Sequence, residues 1–355
     1  MKYKPLSVNY FARRVLQWYY RAKRDLPWRN ERDAYTVWVA EIILQQTRVE
    51  QGLPYFNRFI ETFPDVFSLA KASEQSVLKI WEGLGYYSRA RNMHKCAQII
   101  VNNNHGSFPK RFEDLLQLPG IGKYTAAAIA SFAYHEAVPA IDANVIRVLT
   151  RIFRIHEDPH KPKTQKLLFE KSLKLISKDN PDHYNQAMME LGALICKPKN
   201  PSCARCPVMD CCEAYASGDQ QKYPYKKARG KIRKRYFNYV ILKSGDKTYF
   251  QLRNGDDIWK GLYEFFLIES KAPIDISDIL HKVPIELLEE PRVLYESKEY
   301  KHQLSHQEIR ARFIEISSPG IQTKQWLKPF LFKKKMVKDL PKSVLLNKYL
   351  EERPI

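Results

Sequence analysis

Acidic residues are scarce in this chain of 355 residues: 39 Asp and Glu stand against 59 Lys and Arg, a formal charge of +20. That deficit points to a polyanionic partner bound through counterion release, without specifying any sequence preference. No long apolar run and no lipidation motif accompany the charge, so a membrane is not the expected partner. The opening Met1-Lys-Tyr-Lys-Pro-Leu6 lacks the apolar core of a signal peptide. An intracellular protein is expected, cytoplasmic and nucleoid-associated in a bacterium, nuclear or mitochondrial in a eukaryote. No oligomerisation signal stands out, and a monomer is the default. Acidic residues vanish between Asp219 and Asp246, where Lys222, Lys226, Lys227, Arg229, Lys231, Arg233, Lys234 and Arg235 accumulate. Residues 216–235 therefore read as a basic connector between two domains, each long enough to bury a core.

Five of the six cysteines crowd between Cys196 and Cys212. In an intracellular chain such a cluster argues for metal before disulfides. Cys196, Cys203, Cys206 and Cys212 are separated by six, two and five residues, with Pro198, Pro201 and Pro207 stiffening the loops. Four thiolates so held bind zinc or an iron–sulfur cluster, and the spacing is not one of the paired forms usual for structural zinc. Cys211, beside the fourth ligand, leaves a second choice open.

Leu118-Pro-Gly-Ile-Gly122 is a tight turn followed by a good helix former, Lys123 to Ala133; Gly120 and Gly122 let the backbone, and the free N–H groups of the new helix, approach a phosphate. Asp142 precedes Val145, Val148, Leu149 and Ile152, whose spacing marks a second amphipathic helix. On spacing alone Asp142 reads first as an N-cap and only second as a functional acid. Val8 to Ala22 is an amphipathic helix among arginines, and Leu26-Pro-Trp-Arg29 a proline-marked loop. Tyr35 to Gln46 is apolar nearly all round, yet carries Glu41 in its middle. Burial raises the pKa of such an acid toward a useful range, unless an arginine holds it in a structural ion pair. Asn102 to Gly106 reads as a loop, and Asn185 to Gly192 as a mostly buried helix.

These motifs, in this order, resemble the MutY family of adenine glycosylases among the helix-hairpin-helix base-excision enzymes. Leu118 to Thr125 matches the family's hairpin, Ile141 to Val145 its active-site aspartate, and Trp38 to Arg48 its catalytic-glutamate segment. The resemblance implies an α+β, multidomain protein: an all-α glycosylase domain over 1–215 with its hairpin near 113–134, the connector, and a Nudix-like α/β domain over 236–355. It implies hydrolytic release of adenine mispaired with 8-oxoguanine or guanine in double-stranded DNA. Glu41 becomes the acid, Asp142 the stabiliser of the sugar cation, and Tyr124 and Asn144 the residues that position them. Trp28, Arg29 and Glu190 fall near the adenine pocket; Gln46, Thr47, Leu84 and Tyr86 face the DNA near the lesion. The cysteine spacing matches the family's [4Fe-4S] loop and selects Cys212. Tyr124 occupies the place of the lysine with which relatives such as endonuclease III form a Schiff base, so a monofunctional enzyme is expected. An endonuclease III-like pyrimidine-lesion glycosylase and a non-catalytic DNA-binding protein are the rivals.

Beyond the connector the pattern turns to strands. Tyr236 to Leu242, a turn at Ser244-Gly-Asp246, and Thr248 to Arg253 read as a hairpin. Trp259 to Phe265 resembles the family's C-terminal domain. Glu286, Glu289 and Glu290 lack the magnesium-binding pattern of a Nudix hydrolase, so no pyrophosphatase activity is expected. His302 to His306 reads as a polar turn; by resemblance Ser305 and His306 inspect 8-oxoguanine, while Leu304 stands where the family has phenylalanine.

Overall fold

Helical periodicity governs the first part of the chain and strand alternation the last, and a computed structural model, describing residues 7–29, 32–227, 232–288, 291–317 and 324–354, follows that division. Arg229, Lys231, Glu289 and Glu290 lie outside the described residues. The chain packs as two units, Met1–Lys71 with Asn92–Ala228, and Ala72–Arg91 with Arg229–Ile355. No helix among the described residues is long and apolar enough to cross a membrane.

In the first unit, helix Val8–Ala22 turns Phe11, Val15 and Tyr19 into a core shared with Val148 and Leu149 of helix Ala143–Ile152 and with Tyr184 and Met188 of helix Pro181–Glu190. Helix Ala34–Ile43 is buried on every side, as its composition requires. It ends at Ile43, not Gln46. Gln46 adopts a left-handed backbone, φ 59°, and the Gln45 amide donates to Thr125 Oγ1 at 3.2 Å, so polar side chains find partners outside the helical ladder. Conversely, helix Ser88–Asn104 absorbs Asn102 to Asn104, and the loop begins only at His105 and Gly106, both at positive φ. Helix Phe112–Leu115, a turn and helix Lys123–Tyr134 form the hairpin. Gly120 there has φ 78°, and a Cβ would lie 2.6 Å from that of Asn92.

In the second unit the strands are β1 (Arg233–Ser244), β2 (Lys247–Tyr249), β3 (Gln251–Leu252), β4 (Tyr263–Glu264), β5 (Phe266–Ser270), β6 (Arg292–Glu296), β7 (Tyr300–Gln303), β8 (Gln307–Ser317) and β9 (Leu331–Lys333). Among the described residues, seven strands form one mixed sheet in the order β6-β8-β1-β2-β9, with β5 also on β1 and β7 also on β8. The expected hairpin exists where Ser244 faces Lys247 around Gly245, but its return strand breaks: β2 stops at Tyr249, and β3 pairs with β4 instead. The main partner of β1 is β8, parallel from Arg233 opposite Gln307 to Lys243 opposite Ser317. Such a pairing needs a long crossover and leaves no turn signal to read. Alternate residues of β1 feed two cores, Phe237, Tyr239 and Ile241 on one face, Val240 and Leu242 on the other.

The basic stretch expected as connector thus enters the sheet at Arg233. Arg235 is buried, its guanidinium 2.6 Å from both Asp257 and Glu269. His302 and Gln303 complete β7, leaving Leu304 to His306 as the turn into β8.

Candidate active site

A cleft of about 160 Å³ opens in the helical unit. Trp28 and Arg29 reach it from the 3-10 turn Pro27–Arg29, Glu41 from the buried helix, Thr47 from the turn after it, and Tyr124 from the hairpin's second helix. Asp142 and Asn144 enter at the start of the next helix and Glu190 at the end of Pro181–Glu190. Gln46 is exposed and does not line the cleft; Gly120 and Gly122 stay in the hairpin turn.

Glu41 is 8% exposed, and Tyr124 Oη donates to its Oε2. Burial pushes its carboxyl up to about 7 and the charge of Asp142 adds to this, while the Tyr124 bond and Arg29 pull it down. The arginines that a structural ion pair would need go elsewhere. Arg24 and Arg29 reach Glu190 Oε1 at 2.7 and 2.5 Å. Glu190 is almost fully buried, so it is no surface charge; burial alone would raise its pKa, but the two guanidinium groups outweigh that and hold it below the ordinary range.

Asp142 is an N-cap that also faces the cleft. Its Oδ1 accepts from Val145 N at 2.7 Å as an N-cap, and its Oδ2 accepts from Asn144 Nδ2 at 2.7 Å while the residue lines the cleft. Burial raises its pKa, and those bonds oppose the rise. Asn144 Oδ1 accepts from Arg147, which also donates to Gly192 O at 2.8 Å and Cys196 O at 2.7 Å, tying the aspartate to the cysteine loop. A Cβ on Gly192 would sit 2.5 Å from that of Asn144, so only glycine admits this approach. Buried Asn185 fixes the linker that delivers Asp142, donating to Val138 O and accepting from Ala140 N.

Sequence reasoning missed Arg24, Gln186, Met189 and Ala193, which also line the cleft. The positions 186, 189, 190 and 193 share one face, a periodicity that was available; Arg24 was detectable only from the need of a buried acid for cations.

All four predicted cysteines, Cys196, Cys203, Cys206 and Cys212, line one cavity of about 30 Å³, and Cys211 does not. Arg151 is buried beside them, donates to Cys196 Sγ at 3.2 Å and forms no ion pair among the described residues. Burial pushes the Cys206 thiol up to about 12 and Cys212 to about 11. Among the described residues no three Cys, His, Asp or Glu side chains converge on a position for a single ion.

Leu84, Tyr86, Ser305 and His306 gather instead in the second unit, around a cavity of about 440 Å³ with Trp259, His302 and Leu304. Tyr86 has φ 48° and its Oη lies 2.5 Å from Ser305 Oγ; the Arg89 guanidinium sits over its ring.

A protonatable buried carboxyl, a second carboxylate at a helix start and a glycine hairpin thus stand together in one helical unit. A family model described as HhH-GPD superfamily base excision DNA repair protein matches residues 39–173. The adenine DNA glycosylase of Buchnera aphidicola subsp. Schizaphis graminum is 37% identical over 271 residues, 75% of this chain and 77% of that protein. The adenine DNA glycosylase of Buchnera aphidicola subsp. Baizongia pistaciae is 34% identical over 305 residues, 85% and 84% of the two. The solved structure of a thermostable thymine-DNA glycosylase aligns with a TM-score of 0.55 at 27% identity, covering 59% of this chain and 97% of that one. The chain belongs to the adenine DNA glycosylase family of the HhH-GPD superfamily.

Proposed function

We propose that the chain hydrolyses the N-glycosidic bond of adenine paired with 8-oxoguanine or guanine in double-stranded DNA, leaving an abasic site. The observation that carries this is Glu41, an acid buried in the cleft and pushed up to about 7, so that it retains a proton near neutrality. The base must leave the stack, which costs a few kcal/mol and less at a mispair. Tyr124 occupies Oε2, so the acidic proton belongs on Oε1 and passes to the departing base. The resulting carboxylate then takes a proton from the water that adds to the sugar. Asp142, fixed by two hydrogen bonds, stabilises the oxocarbenium-like sugar or bonds to it transiently, the division of labour found in glycosidases.

The phenol of Tyr124 cannot form an imine, and Lys123 is exposed and outside the cleft, which favours a monofunctional enzyme over an endonuclease III-like one. Trp28, Arg29 and Glu190 hold the adenine, Gly120 and Gly122 a phosphate, and Gln46, Thr47, Leu84, Tyr86, Ser305 and His306 serve the lesion side. Cys196, Cys203, Cys206 and Cys212 hold a [4Fe-4S] cluster, whose negative charge suits the buried, unneutralised Arg151 and which folds the loop against DNA. The mixed-sheet unit is Nudix-like without pyrophosphatase activity. Single-turnover assay on an A:8-oxoguanine duplex beside a thymine glycol duplex tests the reading. Adenine release without efficient borohydride trapping is expected; release from thymine glycol alone, or efficient trapping, rejects it.

A further inference from the structure

Residues 72–91 stand among the helices in the sequence, yet they pack with the second unit. Their turn from Gly83 to Tyr86 carries the exposed ring of Tyr86 and sets Gly83, Gly85 and Tyr86 at positive φ. A residue with a side chain keeps that conformation only where its surroundings hold it. Ser305 meets the tip of the ring, and the base of the turn has an anchor of its own. Glu82, immediately before the turn, has a side chain only 11% exposed, and both of its oxygens are engaged. Oε2 accepts from Lys79 Nζ at 2.6 Å, in helix Glu74–Ile80. Oε1 accepts from Asn347 Nδ2 at 2.5 Å and from Lys342 N at 3.1 Å. Asn347 lies on helix Val344–Glu352, which is capped by Ser343 and plants Leu345, Leu346 and Tyr349 in the core against the sheet. Lys342 is 3% exposed, its Nζ donating at 2.6 Å to Val337 O and Leu340 O. A carboxylate with three donors, hardly reached by water and tied to a packed helix, holds its segment more firmly than an exposed ion pair would.

We propose that Glu82 is a positioning residue for lesion recognition: by joining the turn to helix Val344–Glu352 it holds Tyr86 where its hydroxyl meets Ser305. This rests on Tyr86 and Ser305 serving the lesion side. It gives helix Val344–Glu352 a part in the choice of 8-oxoguanine over guanine.

Single-turnover release from saturating A:8-oxoguanine and A:G duplexes by the full-length, cluster-loaded protein tests it, with Glu82→Ala, Tyr86→Ala and both together. Loss of the tether should make Glu82→Ala about three- to tenfold slower on A:8-oxoguanine and leave release from A:G at the parent rate. In the Tyr86→Ala background the same change should alter neither rate. Equal slowing on the two duplexes, slowing on neither, or the same slowing without the Tyr86 ring overturns the proposal. Should Glu82→Ala fail to fold, Asn347→Ala removes one of the three donors and decides by the same two rates: slowing confined to A:8-oxoguanine supports the proposal, and uniform slowing or none overturns it. A Tyr86→Ala variant with the parent's preference for 8-oxoguanine, or a parent that releases no adenine, would reject the underlying reading and the proposal with it.

Discussion

Two glutamates that line one cleft show what a side chain's neighbours do to it. Glu41 and Glu190 are both buried, and burial pushes both pKa values up. Glu41 meets a neutral phenol, Tyr124, and stays protonatable near 7. Glu190 meets two guanidinium groups, Arg24 and Arg29, and is held ionised. Desolvation is common to the two sites, so the partner alone decides which is an acid and which a fixed charge.

Removing the acid should have the largest effect. Glu41→Gln should slow adenine release by about 10²- to 10⁴-fold with duplex affinity retained, measured by single-turnover kinetics and anisotropy. The same variant should gain stability where the parent loses it. A carboxyl raised from 4.5 to about 7 contributes stability that is full below pH 4.5 and is lost as pH rises through 7, so denaturation at pH 8.5 should favour the variant. Parity at pH 8.5 would mean that Glu41 is not desolvated.

Glu190→Gln should act on the fold more than on the proton. Removing one partner of a buried ionic network costs about 3–5 kcal/mol, readable by chemical denaturation, and a change below 1 kcal/mol, about the worth of an exposed pair, would show that water reaches the arginines. Gly192→Ala should cost about 1–3 kcal/mol through overpacking against Asn144, with a fall in release rate as Asp142 loses its support. Smallest is Tyr124→Phe. Its hydrogen bond lowers the Glu41 pKa, so without it the alkaline limb of the pH–rate profile should move upward by about half to one unit. A downward move would reverse the assigned role of Tyr124.

What the amino-acid sequence determined by itself was local. A lone acid in an apolar helix marked Glu41, a glycine turn before an alanine-rich helix marked the hairpin, helical spacing after Asp142 placed it at a helix start, and four cysteines at short intervals marked one cavity. Periodicity, backbone freedom and short-range spacing are written in neighbouring residues, and these are what a sequence displays. Tertiary structure alone decided the rest: that Arg24 and Arg29 neutralise Glu190 and not Glu41, that Tyr19 grips Gln186, that β1 lies parallel to β8, and that Arg235 is a buried ion and not a free connector charge. Each joins groups far apart along the chain. Charge state and pairing depend on distance through space and on access to water, and neither is carried by residue order until the chain has folded.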